Sequence, residues 1–498
     1  MSTGVFLSVL LFLLFVIFIR RKYNFWRKLG VQGPTPTFPF GNLRGVGTQF
    51  HSSELIDKLY HIYKGQTPLV GIYFFLKPVA LVLDLDVAQD ILVQNFKIFP
   101  NHGFFYYNER DDPLTAHLFA LEGEKWKQIR RKLGPAFTAA KVSIMFPLMK
   151  RVAQQLDDAL SEQAENCKEI DVVEYASRFT TDVIGNCAFG IDCNSLNERE
   201  NIFYRIGRRI LTEMRTFELI RFLLCSTYVG LARFLRMKIV VPEARDFYTG
   251  ILRETIKYRE ETGTVRKDLI DMMLQIRRDG KLEDSTEVLG SMTFNEIAAQ
   301  VFGFFIANFE TSALTITACL FELSLQPHLQ ELAHEEIVRC AEEDVTYKSL
   351  MGMKYLTQVI NEILRKYPVV HFLQRQSIAD YKVPGMDVII PAGTLIYIPL
   401  CSIQNDPEYY PNPSHFDPDR FSPENIANIP DHAYMPFGEG PRYCIGRNLG
   451  LTQTLLCIAT LLRKYKFSQC AKTPKAIRPN PKSVFINTAG VWLKVERR

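Results

Sequence analysis

The sequence predicts a mainly helical protein with a small β-sheet region and one transmembrane helix at its N-terminus. Three observations lead to this prediction. Long stretches carry apolar residues at helical spacing, strand-like runs are few and short, and the first apolar run has no charge. With 498 residues, the chain is long enough to enclose a cofactor within its core.

The N-terminal apolar run is predicted to be an uncleaved membrane anchor. Residues Gly4 to Ile19 carry no charge, and Arg20, Arg21 and Lys22 follow directly. A cleaved signal peptide is the alternative, but it typically has its positive charge before the apolar run. The positive-inside rule then leaves the N-terminus in the lumen and the remaining chain in the cytosol. We therefore assign residues 1–22 to the anchor and its basic stop.

A proline-rich linker is predicted over residues 23–43. Three prolines, at positions 34, 36 and 39, exclude a helix over residues 33–39 and favour a stiff spacer. No composition shift, repeat or low-complexity tract divides the rest of the chain. Residues 44–498 are therefore predicted to form one large domain.

Helical and strand-like patterns alternate unevenly along this domain. The clearest helices are predicted over Glu122 to Lys132, Val142 to Glu165, Val172 to Ala188, Ala244 to Glu261 and Asn295 to Leu325. The strand-like runs are Leu69 to Phe74, Val79 to Leu83, Val388 to Ile390 and Leu395 to Ile398.

Charge and cysteine content exclude two classes of protein. A net charge of +5 is too weak to indicate nucleic-acid binding. The ten cysteines are scattered without a CxxC pair, which argues against a disulfide framework and favours a reducing compartment.

One of these cysteines, Cys444, lies in the segment FGEGPRYCIG, which runs from Phe437 to Gly446. The apolar spacing that follows predicts a helix beginning at or just after Cys444, and a helix N-terminus favours a thiolate. Glycines at positions 438, 440 and 446 let the backbone turn closely around the sulfur. A buried structural cysteine is the alternative, and it is our interpretation of the other nine.

This segment resembles the haem-binding signature F-x-x-G-x-R-x-C-x-G of the cytochrome P450 family at every fixed position. The chain resembles animal microsomal members over nearly its whole length. Around Thr181 to Gly190 it looks most like insect detoxification enzymes and vertebrate drug-oxidising relatives. The resemblance implies the cytochrome P450 fold, haem b as cofactor, Cys444 as the iron ligand and residues 44–498 as a catalytic domain.

The same resemblance implies further haem contacts. Trp126 and Arg130 match the family's W-x-x-x-R, and Arg375 matches its L-x-R. These three and Arg442 are expected to bind the haem propionates, and Phe437 to pack against the ring. A surface packing contact is the alternative for the first pair.

The family's E-x-x-R helix is matched by Glu362 and Arg365. With Arg420 in the later proline-rich stretch, they are expected to form a structural charge triad that does no chemistry.

Oxygen activation is expected at ANFETS, residues 307–312, which resembles A-G-x-[DE]-T-[TS]. Glu310 and Thr311 are expected to relay protons, although such a pair on a buried helix also occurs merely to satisfy its own backbone. Asn308 departs from the family, which usually has glycine there. We expect Asn308 to lie on the face of Thr311, where it hydrogen-bonds Thr311, narrows the oxygen site or contacts substrate.

The resemblance implies a monooxygenase that inserts one atom of O2 into a lipophilic small molecule: a xenobiotic, a lipid or a hormone-like compound. It implies NADPH–cytochrome P450 reductase as electron donor, allows for cytochrome b5 as a further partner, and places the chain at the endoplasmic reticulum membrane. Two alternatives remain open, a P450-like isomerase or dehydratase of lipid peroxides and a non-catalytic haem-binding sensor. The basic residues of the Trp126 helix indicate either a reductase-docking face or a solvated face: Lys125, Lys127, Arg131 and Lys132.

Substrate-pocket positions also follow from the resemblance: residues 104–107, His117, Phe304, Ala307, residues 369–372 and residues 488–490. Most are apolar or aromatic. His371 is either a specificity contact or a histidine satisfied by its neighbours. The apolar stretch Phe217 to Leu235 either dips into the bilayer or forms a buried helix pair.

Overall fold

The computed structural model describes residues 3–103, 105–198, 200–283, 287–341, 344–481, 483 and 490–498. The α-helices within these residues are α1 (Thr3–Tyr23), α2 (Phe25–Lys28), α3 (Ser52–Tyr63), α4 (Leu85–Gln89), α5 (Gly123–Leu133), α6 (Ala139–Glu165), α7 (Val172–Ile184), α8 (Ile202–Leu211), α9 (Thr216–Thr227), α10 (Val229–Phe234), α11 (Pro242–Thr262), α12 (Leu269–Asp279), α13 (Phe294–Leu325), α14 (Pro327–Cys340), α15 (Tyr347–Met351), α16 (Lys354–Lys366), α17 (Leu400–Gln404) and α18 (Arg447–Lys464).

The β-strands are short and form three small sheets. They are β1 (Leu69–Phe74), β2 (Lys77–Val82), β3 (Glu169–Asp171), β4 (Leu373–Gln376), β5 (Tyr381–Lys382), β6 (Ile389–Ile390), β7 (Leu395–Ile398), β8 (Tyr465–Gln469) and β9 (Trp492–Arg497). The sheet orders are β1-β2-β7-β4, β3-β9-β8 and β5-β6. Among the described strands, β2 and β7 pair in parallel, with Val79 opposite Leu395; the other pairs of these strands are antiparallel.

Contacts divide the chain into two compact units. The first unit comprises Met1–Phe104, His371–Ile403 and Gly438–Tyr443. It contains the four-stranded sheet, whose β1 is buried along its whole length because apolar residues occupy both faces. In β4, Arg375 pairs with Ile396 of β7, so this sheet fixes the backbone of one predicted haem contact.

The second unit comprises Phe105–Val370, Gln404–Phe437 and Cys444–Arg498. Helix α13 is its central element and packs against α7 and α18. The N-terminus of α13 is capped by a reciprocal pair, in which Thr293 accepts from the amide of Glu296 and Glu296 accepts from that of Thr293. The second unit contains Cys444 and also residues 307–312 of α13, where oxygen activation is predicted.

The predicted elements agree closely with the structure. The runs at 69–74 and 395–398 are β1 and β7, and the last predicted helix is α13. The helix predicted to reach Ala188 ends as an α-helix at Ile184 and continues through one π-helical turn, Gly185–Phe189.

Helix α1 is a candidate membrane span. Residues Gly4–Tyr23 have a mean hydropathy of 2.3, and none of this window is buried in the protein. Helix α13 is also long and apolar, but 78% of its most apolar window is buried. Burial identifies α13 as a core helix and leaves α1 as the candidate anchor.

Helices α9 and α10 expose large apolar side chains. Phe217 is 72% exposed and Phe234 is 83% exposed. A buried helix pair over this stretch is therefore wrong, and contact with a bilayer stays a prediction.

Candidate active site

The backbone around Cys444 forms a closed loop. The amide of Cys444 donates to the carbonyl of Phe437 at 2.8 Å. A short 3₁₀ turn, Gly440–Arg442, lies between them, and α18 begins three residues after the cysteine. Glycine is required at position 440 because φ is +68° and an added Cβ would lie 2.0 Å from the carbonyl oxygen of Leu92.

The surroundings of the Cys444 sulfur act on its charge in two directions. Burial raises the pKa of the thiol above its ordinary value, and the amides of Gly446 and Arg447 and the guanidinium groups of Arg130 and Arg447 offset only part of that rise. Although protein surrounds the sulfur, Cys444 keeps accessible surface. The loop therefore offers a reachable sulfur, with donors and cations that favour the thiolate that metals bind.

Buried cationic side chains lie near one another in the first unit. Arg375 is 2% exposed and Arg442 is 9% exposed. Arg375 donates to the carbonyl oxygens of Gln374 at 2.8 Å and Glu439 at 3.4 Å, and Arg442 donates to that of Pro100 at 2.8 Å.

The environment of Arg375 fits an anionic ligand. Its Nε is buried without a hydrogen-bond acceptor, and within the described part of the chain no carboxylate forms an ion pair with it. Burial lowers the pKa of Arg375 to about 10. Burial also holds the pKa of the neighbouring His102 well below 6.5, with help from the charges of Arg375 and Arg442. A carboxylate-bearing cofactor would supply the acceptor that this buried cation needs.

Trp126 and Arg130 lie four residues apart on α5. Trp126 is buried and Arg130 is partly buried. Arg130 is close enough to Cys444 to lower the pKa of its thiol. The structure thus brings one member of this predicted pair, Arg130, near the cysteine.

One stripe of α13 is open although most of the helix is buried. Phe304, Ala307 and Thr311 are partly or fully exposed, while Phe305, Asn308 and their other neighbours are mostly buried. The hydroxyl of Thr311 donates to the carbonyl of Ala307 at 2.6 Å. This bond uses the Thr311 hydroxyl hydrogen within its own helix, as expected if the residue only satisfies its own backbone. The lone pairs of the hydroxyl oxygen can still accept a hydrogen bond.

The position predicted for Asn308 is wrong. Its side chain is buried and donates to the carbonyl of Thr180 at 2.9 Å, while its oxygen accepts from Gln453 of α18. Gln453 also donates to Ser312 at 2.6 Å. These partners hold Asn308 away from the open stripe, so no described hydrogen bond joins it to Thr311.

Glu310 faces a cavity of about 280 Å³ within the second unit. Arg208 and Tyr204 of α8 also line this cavity, as do Thr317 and Val369, whereas Thr311 does not. The predicted acid and alcohol are therefore adjacent in sequence but project in different directions from α13.

The predicted charge triad is confirmed. Glu362 and Arg365 are fully buried and form two hydrogen bonds, at 2.7 and 2.8 Å. Arg420 lies 3.5 Å from Glu362. Arg365 also donates to the carbonyls of Gln404 at 2.9 Å and Pro413 at 2.8 Å, which fastens the proline-rich stretch to α16.

Several predicted pocket positions have other environments. His371 is 4% exposed, bonds Ser52 at 2.9 Å and packs against the ring of His51, so its neighbours satisfy it. Phe372 stacks on Tyr397 with ring centroids 4.0 Å apart. Phe104, Thr488 and Ala489 lie outside the described residues.

Sequence reasoning missed the buried partners Gln453, Thr180 and His102. Gln453 had one signal, because it is a polar residue within an otherwise apolar helical pattern following Cys444. Thr180 and His102 had none, because their contacts are made with residues distant in sequence.

A loop cysteine whose sulfur is reachable and a buried arginine without an acceptor are the features expected of a helical protein that binds an acidic metal cofactor through a thiolate. The cytochrome P450 family model matches residues 31–495. The chain is 40% identical over 474 residues to cytochrome P450 6A1 of Musca domestica, covering 94% of this chain and 92% of that protein. It is 38% identical over 488 residues to probable cytochrome P450 6a14 of Drosophila melanogaster, covering 95% and 96%. The chain belongs to the cytochrome P450 family.

Family membership confirms the predicted resemblance to insect P450s. The chain is accordingly a monooxygenase that uses haem b, O2 and electrons from NADPH delivered by a reductase.

Proposed function

We propose that this protein inserts one oxygen atom of O2 into a lipophilic xenobiotic, lipid or hormone-like molecule at the endoplasmic reticulum membrane. Its proposed electron donor is NADPH–cytochrome P450 reductase, with cytochrome b5 as a further partner. The observation that carries the proposal is Cys444, a reachable cysteine at the start of α18 whose amide is bonded to Phe437 at 2.8 Å.

In this proposal Cys444 ligates the haem iron. Arg375, Arg442, Trp126 and Arg130 bind the propionates, and Phe437 packs against the ring. The buried Arg375, whose Nε has no described acceptor, supports the propionate assignment. Haem b, when bound, supplies the iron at which dioxygen is reduced.

Thr311 and Glu310 are proposed to deliver protons. Because the Thr311 hydroxyl donates to Ala307, its oxygen can accept a hydrogen bond and so hold a water in the open stripe of α13, and this water carries the proton. Glu310 borders a cavity with polar walls, from which its carboxylate can take up protons. Because the two side chains project in different directions from α13, the proposed transfer from the acid to the alcohol runs through intervening water.

The membrane assignment is supported by α1. Residues 1–22 are proposed as the anchor and stop, residues 23–43 as the linker, and residues 44–498 as the catalytic domain. With the exposed apolar surface of α9 and α10, this arrangement favours substrates that partition into lipid.

The basic residues of α5 are proposed to form the reductase-docking face, and two of them already pair with carboxylates of this protein. Lys125 pairs with Glu109 at 2.6 Å, and Lys127 pairs with Glu124 at 3.3 Å. Such exposed pairs contribute at most about 1 kcal/mol, so an acidic partner surface can replace the internal carboxylates.

The spectrum of the reduced, CO-bound protein tests the ligand, and reconstitution with the reductase tests the reaction. We expect a long-wavelength thiolate band that is absent in Cys444→Ala and kept in Cys457→Ala, which removes a buried cysteine of α18. With reductase and NADPH, a lipophile panel should yield oxygenated products. Persistence of the band in Cys444→Ala contradicts the ligand assignment, and turnover of lipid peroxides without reductase contradicts the reaction.

A further inference from the structure

The positive charge of this protein is concentrated at one end of the chain. Residues 1–53 contain six Lys and Arg residues and no Asp or Glu, whereas the whole chain has a net charge of +5. The remaining 445 residues are thus almost neutral overall. Among the residues that the structure describes, no carboxylate forms an ion pair with Arg20, Arg21, Arg27 or Lys28.

These four basic residues line one groove of about 1000 Å³ in the first unit. The groove lies between the end of α1, helix α2 and the start of the proline-rich linker. Ile17 and Ile19 of α1 form part of its apolar wall. A cationic opening beside an apolar wall matches an amphiphile that has an anionic head and an apolar tail.

The groove is held open by the docking of Trp26 on β1. The indole Nε1 donates to the carbonyl of Ile72 at 3.0 Å, and the hydroxyl of Tyr73 donates to that of Tyr23 at 2.8 Å. Gly71 allows this contact, because an added Cβ would lie 2.2 Å from the Trp26 ring. The basic end of α1 is therefore fixed to the sheet and not carried on a free tether.

The location of the groove follows from the exposure of α1. Most of its apolar side chains are exposed, and its basic end must lie at the level of lipid headgroups if the apolar run spans a bilayer. Guanidinium groups bind phosphate oxygens in pairs, and each basic residue near an anionic leaflet strengthens binding by about fivefold.

We propose that this groove is a binding site for an anionic glycerophospholipid, with the headgroup phosphate between Arg20, Arg21, Arg27 and Lys28 and an acyl chain along α1. A zwitterionic lipid binds less well, because it carries no net negative charge to pair with these cations. The proposal rests on α1 as a membrane anchor and does not depend on the haem chemistry.

The test uses the full-length protein in lipid nanodiscs made of phosphatidylcholine with a small fraction of spin-labelled phosphatidylserine or spin-labelled phosphatidylcholine. Electron paramagnetic resonance measures the motionally restricted fraction of each label. We expect the unmodified protein to prefer phosphatidylserine. The double variant Arg27→Gln/Lys28→Gln should reduce that preference by about fivefold or more.

The matched control is Lys22→Gln/Arg44→Gln. It removes the same charge from the same acid-free segment, but neither residue lines the groove. An equal loss of preference in both double variants means that the attraction is diffuse and overturns the site. A preference that survives in Arg27→Gln/Lys28→Gln overturns it as well.

Two further arms separate related outcomes. Displacement of the labelled lipid by inorganic phosphate, but not by chloride at equal ionic strength, identifies a phosphate-ion site and overturns the lipid assignment. Failure of the unmodified protein to embed in pure phosphatidylcholine overturns both the anchor and the groove. The reduced CO spectrum reports the haem site and should stay unchanged in each variant. A failure of the proposed oxygenation is thus distinguished from a failure of the lipid site.

Discussion

The loop around Cys444 and the turn of α13 around Thr311 hold their functional groups by different means. The loop relies on its backbone: an amide of Cys444 bonded to Phe437, and glycines with positive φ at positions 438 and 440. The turn of α13 is regular helix. There, side chains from other helices decide which residues are open and which are buried.

This difference separates two kinds of structural information. A backbone that requires positive φ or a close approach selects glycine, and glycine is visible in a sequence. The direction of a helical side chain depends on partners elsewhere. The residues that hold Asn308, Thr180 and Gln453, lie 128 and 145 positions away.

The largest expected effect tests the backbone of the cysteine loop. Gly440→Ala places a Cβ 2.0 Å from the carbonyl oxygen of Leu92 at a φ of +68°. We expect a cost of about 5 kcal/mol or more, which prevents formation of a haem-binding protein. The measurement is haem content and the CO spectrum after expression.

Gly438→Ala is the matched control for that substitution. Its φ is +71°, but an added Cβ approaches other atoms no closer than 3.7 Å, so only backbone strain of about 1–2 kcal/mol is expected. Equal haem loss in both variants would mean that strain, and not the contact with Leu92, accounts for the glycine at position 440.

The second effect concerns the charge triad that fastens the proline-rich stretch. Glu362→Gln leaves Arg365 fully buried without a carboxylate, and we expect a loss of about 3 kcal/mol in the free energy of unfolding. Arg420→Gln should cost less than half as much, because Arg420 lies 3.5 Å from Glu362 and Arg365 keeps its partner. Urea unfolding measures both, and a larger cost for Arg420→Gln would reverse the assigned roles.

Residue patterns therefore predicted the features that depend on backbone conformation and on the spacing of nearby residues. Helix α13, strands β1 and β7, the glycine-rich loop and the triad of Glu362 follow from the sequence. The direction of Asn308 did not, because a residue three positions before Thr311 on a helix is near the same face unless a buried partner draws it away. The environment of His371 did not either, since Ser52, with which it bonds, lies 319 positions away.

A smaller effect tests the buried partners of α13. Gln453→Leu leaves the oxygens of Asn308 and Ser312 without their donor, at an expected cost of about 2 kcal/mol. Asn308→Gly, which restores the usual family residue, should also destabilise the fold but leave the ratio of product to NADPH nearly unchanged. Thr311→Ala should lower that ratio, because it removes the hydroxyl proposed to hold the proton-carrying water. A fall in Asn308→Gly as deep as in Thr311→Ala would show that Asn308 acts on the oxygen site.

The smallest expected effect comes from His371, whose buried ring has its pKa well below 6.5, first because of burial and then because of His51. Below pH 6.5 the unfolded chain binds a proton at this position that the folded chain does not. The contribution of His371 to the free energy of unfolding is therefore fully present above that pH. It is lost as the pH decreases, by at most about 1.4 kcal/mol per pH unit for one histidine.

His371→Gln should flatten this slope, because glutamine does not titrate and can still bond Ser52. The control is His61→Gln, which changes an exposed histidine of the same unit. Unfolding free energies measured across the range below pH 6.5 decide the outcome. If His371→Gln keeps the full slope, the folded protein protonates His371 as readily as the unfolded chain does. In that case its environment is that of a pocket residue open to solvent, as the sequence alone allowed.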